Sequence, residues 1–125
     1  VVDVEKYSDG MDGGLFTRHF SLQSGQATAA NAATDYQIIG DFLRSMANPV
    51  RLTLLHLLVQ GELPVGELAA RVGLSQSAVS QHLARLRQQR LVMMRREAQT
   101  IYYRCESVQV KIILSALDDI FPRNG

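Results

Sequence analysis

The stretch from Leu63 to Val92, LPVGELAARVGLSQSAVSQHLARLRQQRLV, decides how the chain folds. Pro64 can open a helix, because a first helical turn has backbone amides to spare, and Val65–Val72 sets Leu68 and Val72 on one helical face. Gly73 supplies the left-handed residue that ends such a helix. Ser75 follows, with a hydroxyl suited to capping a second helix from Gln76 to about Gln89. A short helix, a tight turn through glycine and a longer helix predict a helix-turn-helix.

The second helix has two sides of opposite chemistry. With Val79 at the centre of the buried side and about 100° per residue, Leu83 and Leu86 fall within about 40° of it. The outward side is then Ser77, Gln81 and Gln88, flanked by Ser80 and Arg85, with no carboxylate among them. Serine and glutamine hydrogen-bond to base edges, and Arg85 can pair with a phosphate or a guanine. The free amides at Gln76 and Ser77 favour an anion at the helix start. The same row would also suit an ordinary solvated face. Small serines, the missing acids and the basic segment that follows favour DNA. His82 lies about 60° from the buried centre, a boundary position open to either packing or contact.

Downstream, Leu91–Arg96 and Thr100–Arg104 read as two strands around Glu97-Ala98-Gln99, because Ile101, Tyr102 and Tyr103 favour extended backbone. This hairpin is a basic wing. Arg95 and Arg96 point to opposite faces of a strand, so one is expected to reach phosphate and the other to pair with Glu97 or solvent. Gln99 at the tip is placed to enter a minor groove. A last helix over about 107–121 carries Val110, Ile113, Leu114, Leu117, Ile120 and Phe121 at helical spacing. Upstream, Asn48-Pro49 caps and opens a leucine-rich helix to about Val59 that is apolar nearly all round and so belongs at the centre of the core. Before it, residues 26–46 show a stripe through Tyr36, Ile39, Phe42, Leu43 and Met46. The fold expected is mainly α with a small β-hairpin wing, a dimeric winged helix-turn-helix.

Charge supports the same face. The 125 residues carry a net charge of only +1, but Ser75–Arg104 holds Arg85, Arg87, Arg90, Arg95, Arg96 and Arg104 against Glu97 alone, while Val1–Asp41 is net acidic. A basic block of this kind is the footprint of a nucleic-acid surface. The division expected is a flexible arm over 1–25, a DNA-binding and dimerisation domain over 26–121 and a tail over 122–125. A single cysteine, Cys105, allows no internal disulfide and fits a reducing cytoplasm. No apolar run approaches a membrane span, and the opening residues lack the layout of a secretory signal.

The segments FLRSMANPVRLTLLHLL, LPVGELAARVGLSQSAVSQHLARLRQQRLV and RREAQTIYYR together resemble the ArsR/SmtB family of winged-helix repressors, nearest its HlyU/NolR-like branch. The resemblance covers about two-thirds of the chain, from Asp41 to Phe121. It implies a cytoplasmic homodimer, built by the first and last helices, that binds an imperfect DNA palindrome and represses transcription. Read together with the residue patterns above, the candidate DNA contacts are Gln76, Ser77, Ser80, Gln81, His82, Arg85, Arg95, Arg96 and Gln99, and the candidate dimer contacts are Ile39, Phe42, Leu43, Val110, Ile113, Leu114, Leu117 and Phe121.

The family's sensor residues are not matched. Pro64 and Gly66 stand where a metal-binding Cys-x-Cys would be, and the last helix offers only Asp118 and Asp119. The cysteine pair of the branch aligns with His56 and Pro122. No metal or cofactor is therefore expected, and the identity of any small-molecule effector is left open. His56 reads as a core-edge histidine and Cys105 as a small half-buried residue. The alternatives are a redox- or small-molecule-responsive regulator acting through an unrecognised site, or a winged-helix module that binds proteins. An enzyme finds no support, since there is no phosphate loop or nucleophile elbow.

Overall fold

The computed structural model describes residues 29–123, with side chains from residue 35 onward. The expected arm over 1–25, residues 26–28 and the end of the tail lie outside the described residues. Two compact units divide the chain, the first ending at Ile39 and the second beginning at Gly40. The elements are α1 (Ala29–Met46), α2 (Pro49–Gln60), β1 (Leu63–Pro64), α3 (Val65–Val72), α4 (Gln76–Gln88), β2 (Met93–Glu97), β3 (Thr100–Arg104) and α5 (Val108–Ile120). The boundary between the units falls inside α1, and everything from α2 onward belongs to the second.

Local chemistry explains each boundary. Asn48 Oδ1 accepts from the backbone N–H of Val50 at 2.8 Å and of Arg51 at 3.1 Å, and Pro49 occupies the first turn of α2. Ser75 Oγ accepts from Ala78 N–H to start α4, and Ser107 Oγ accepts from Val110 N–H to start α5. Gly73, at φ 72°, closes α3 with its own N–H on Ala69 O. The end of α4 is less expected. Arg90 N–H donates to Arg87 O and Leu91 N–H to Leu86 O, the paired bonds of a Schellman motif, with Arg90 at φ 59° where glycine is usual. Leu86 and Leu91, the two ends of that motif, are both buried in the core.

The core is built around α2. Leu54, Leu55 and Leu58 are at most 1% exposed, as an all-round apolar helix requires. Around them pack Leu68 of α3, Val79, Leu83 and Leu86 of α4, and Val110 and Leu114 of α5. Each such side chain contributes about 1.5–3 kcal/mol relative to exposure. Leu91 and Val92, expected to begin the first wing strand, are buried core residues instead, and the strand starts at Met93.

A third strand was not foreseen. The sheet order is β1-β3-β2, all antiparallel, with Leu63 opposite Tyr103 and Pro64 opposite Tyr102. Two residues are too short to show a period, and proline is tolerated because β1 is an edge. In the hairpin, Met93 lies opposite Arg104 and Glu97 opposite Thr100, leaving Ala98-Gln99 at the tip. β1 ties the wing to the body, as does the bond from Cys105 N–H to Leu58 O.

The two left-handed helix ends should respond oppositely to substitution. A Cβ at Gly73 would meet nothing within 4 Å, so Gly73→Ala carries only the backbone penalty of about 1–2 kcal/mol. Arg90→Gly removes that penalty and should raise stability by about 0.5–1 kcal/mol after the extra chain entropy of glycine. Urea unfolding midpoints measure both.

Candidate nucleic-acid interface

Helix α4 presents the two sides expected of it. Val79, Leu83 and Leu86 are fully buried, and Gln76, Ser77, Ser80, Gln81, Arg85 and Gln88 are exposed. The outward row is therefore a line of neutral hydrogen-bonding groups ending in a cation. His82 differs from it: it is half-buried, with its Nδ1 3.4 Å from Arg51 Nη1 on α2.

The wing sorts the arginines. Arg95 Nη2 lies 2.7 Å from Glu62 Oε1, and Arg95 Nη1 donates to Glu97 Oε2 at 2.7 Å. Its guanidinium also stacks 4.4 Å from the centre of the Tyr102 ring. The hydrogen bonds that Arg95 donates to Glu62 and Glu97 are the main reason it is held above the usual arginine range, and Arg95 in turn holds the Glu62 carboxyl below the usual carboxylate range. Arg104 donates to Glu106 at 2.9 Å. Arg96 lies on the opposite face of β2, exposed, and among the described residues it has no ion pair. Gln99 stands exposed at the hairpin tip beside Ala98, whose φ of 56° is left-handed.

The basic block is thus less uniform than its composition. Glu62 and Glu106, which lie outside Ser75–Arg104, reach in to neutralise Arg95 and Arg104. Arg85, Arg87, Arg90 and Arg96 are left exposed without an acidic partner among the described residues. A sequence count could not find this, because Glu62 is 33 residues from Arg95.

The residues assigned to a dimer contact divide as well. Val110 and Leu114 are 0% and 8% exposed within the protomer, so they belong to its own core and not to an interface. Ile113, Leu117 and Phe42 are half-buried against that core. Ile39, Leu43 and Phe121 are exposed, and so are Val108, Ile112 and Ile120; Val108 and Ile112 lie off the apolar spacing by which the sequence marks this helix. Helical spacing alone ranks the two sides of α5 equally, since both are apolar.

Among the described residues no group of three or more His, Cys, Asp or Glu side chains could hold a metal ion. Of the three histidines in the chain, His19 lies outside the described residues. Cys105 is buried, and desolvation pushes its thiol above the usual range, which suppresses the thiolate. His56 Nε2 sits 2.8 Å from Arg123 Nη2 at the edge of an open groove of about 540 Å³, lined by Leu52, Leu57, Leu114, Leu117 and Phe121. No described helix is long and apolar enough to cross a membrane.

Comparison with known proteins agrees with this geometry. The family model described as "Bacterial regulatory protein, arsR family" matches residues 48–93. Nodulation protein NolR of Rhizobium meliloti is 58% identical over 87 residues, which cover 70% of this chain and 71% of that protein. The crystal structure of NolR from Sinorhizobium fredii matches with a TM-score of 0.73 at 49% identity, covering 79% of this chain and 99% of that one. Transcriptional activator HlyU of Vibrio cholerae is 49% identical over 79 residues, 63% of this chain and 73% of that protein. A homodimeric winged helix-turn-helix DNA-binding domain from Mycobacterium bovis matches with a TM-score of 0.68 at 27% identity, covering 76% of this chain and 88% of that one.

The ion pairs separate Arg95 from Arg96 in a way that titration can read. On random duplex DNA, Arg96→Ala should reduce the slope of log K against log salt by about 0.9, one released counterion, and Arg95→Ala should change it little. Anisotropy titrations at several salt concentrations measure the slopes. Equal reductions for both would mean that the Glu62–Arg95–Glu97 clasp opens on DNA.

Proposed function

The chain belongs to the arsR family of bacterial regulatory proteins, and we propose that it works as a homodimer that reads two related half-sites in duplex DNA and regulates transcription from there. The observation that carries this reading is the acid-free outward face of α4, Ser77, Ser80, Gln81 and Arg85, beside a wing whose Arg96 is free of acidic partners among the described residues. In this reading the row of α4 enters the major groove and contacts base edges, the α4 amino end and Arg96 hold phosphate, and Gln99 reaches the minor groove. The protein performs no chemistry of its own and acts in the cytoplasm, where bacterial DNA lies.

Homodimerisation is supported by the apolar side chains that the protomer leaves uncovered. Ile39 and Leu43 of α1 and Val108, Ile112, Ile120 and Phe121 at α5 are exposed, more than a solitary domain gains from. The similar domain from Mycobacterium bovis is described as homodimeric. Half-sites would then lie about one helical turn, roughly 34 Å, apart or a multiple of it. We assign repression as the outcome, since a dimer seated on a promoter competes with polymerase. HlyU is named an activator, so activation is the second reading. A reporter behind the bound promoter, assayed with and without the protein, separates the two by sign.

Two substitutions test the reading. On a duplex enriched from a randomised pool by the wild-type protein, Gln81→Ala should cost about 1–3 kcal/mol, with little effect on a scrambled duplex. Equal losses on both would mean that α4 does not read sequence in this register. Ile112→Glu should leave the protomer folded, because Ile112 is 62% exposed in it, yet should split the dimer, because an uncompensated charge at a buried interface costs several kcal/mol. Light scattering reads the mass; a wild-type monomer would overturn the proposed assembly.

A further inference from the structure

Among the described residues Arg51 of α2 is the only charged side chain that is buried, at 9% exposure, and no carboxylate accompanies it. Its Nε donates to Ser45 O at 2.5 Å and its Nη2 to Arg44 O at 3.2 Å. Those carbonyls belong to the last turn of α1, where unpaired C=O groups and the helix dipole concentrate negative charge. The helix end thus takes the place of an acid. Burial, and next the charge of Arg85, lower the pKa of Arg51, but a guanidinium of this kind stays protonated at neutral pH. The remaining nitrogen, Nη1, lies 3.4 Å from His82 Nδ1 on α4. A guanidinium can only donate, so Nδ1 accepts and the imidazole proton resides on Nε2.

We propose that Arg51 is a positioning residue for DNA reading: a buried strut that fixes the roll of α4, through His82, against the carbonyl end of α1. Apolar packing of Val79, Leu83 and Leu86 holds α4 on the body but has no direction of its own. A roll of about 10° carries a side-chain tip on a helix of about 5 Å radius through roughly 1 Å. That displacement is enough to spoil a bidentate contact with a base. A directional bond from a side chain that is itself pinned at two other atoms removes this freedom. His82 therefore serves the outward row from behind instead of joining it.

The inference rests on the reading that α4 contacts bases, and its test keeps the two apart. The probes are the duplex enriched by the wild-type protein from a randomised pool and a scrambled duplex of equal composition. Arg51→Met should weaken the enriched duplex about tenfold and the scrambled one less than twofold. His82→Leu should match Arg51→Met, and the double variant should lose no more than either single one. His82→Asn, whose amide oxygen can accept in place of Nδ1, should retain wild-type discrimination. Unfolding midpoints and light scattering accompany each variant. If Arg51→Met does not fold, the contrast between His82→Leu and His82→Asn decides, since both leave the carbonyl bonds of Arg51 intact. Additive losses in the double variant, equal losses on both duplexes, or equal loss in His82→Asn and His82→Leu would overturn the strut. If no sequence is enriched, or Gln81→Ala loses both duplexes equally, base reading itself fails and the strut with it. If Gln81→Ala discriminates and Arg51→Met does not, the strut alone fails.

Discussion

Burial of Val79, Leu83 and Leu86 against the leucines of α2 is the contact that sets the face α4 turns outward. All three are fully buried, and they span a narrow stripe of the helix. Once that stripe is committed, the positions of Ser77, Ser80, Gln81 and Arg85 follow from helical geometry alone. The hub can accept helices from several directions because α2 is apolar on nearly every side, with Leu54, Leu55 and Leu58 all buried in one cluster. Packing of this kind supplies most of the energy and little of the angular precision. The polar contacts around it are few, and they lie where precision is needed: at the caps, at the left-handed helix ends and at Arg51.

The wing is organised by charge in a different way. Arg95 is exposed, and its ion pairs with Glu62 and Glu97 are individually weak in water. Their geometry matters more than their energy. Glu62 precedes β1, Glu97 ends β2 and Tyr102 sits in β3, so one guanidinium ties all three strands together at the surface. Arg96, one residue on, points the other way and keeps its charge available to a polyanion. Neighbouring arginines of identical chemistry are thus divided by the alternation of a strand, one held in ion pairs and the other left in solvent, where the proposed phosphate contact falls to it.

Much of this was legible in the sequence because the signals were local. Asn48 and Ser75 accept from backbone amides within three residues, and Gly73 places its own N–H on the Ala69 carbonyl, so each starts or ends an element where such chemistry puts it. The amphipathic stripe of α4 was equally readable from its period. What escaped depends on distant partners. β1 exists only because Tyr102 and Tyr103 offer a free edge to Leu63-Pro64. The alternation of a strand separates Arg95 from Arg96 without saying which of them acids will hold, since Glu62 is 33 residues from Arg95, and the boundary angle of His82 gives no sign of Arg51 behind it. Val110 and Leu114 looked like interface residues because an apolar helix does not announce which of its sides the core will take.

That last ambiguity has a physical resolution. Helix α5 is apolar on more than one side, and the protomer uses the side of Val110 and Leu114 while Val108, Ile112, Ile120 and Phe121 stay in water. Covering those side chains with the same surface of a second copy would bring two α4 helices to one DNA duplex, related by a two-fold axis. The gain is larger in specificity than in stability. A single recognition helix contacts a few base pairs, each worth about 1–3 kcal/mol against a mismatch, which is too little to stand out among the competing sites of a genome. Two rigidly joined helices add their discrimination energies, so the ratio of right to wrong sites is squared. Any looseness in the roll of α4 is counted twice in that product. The strut proposed at Arg51 and the dimer face proposed on α5 therefore answer the same requirement.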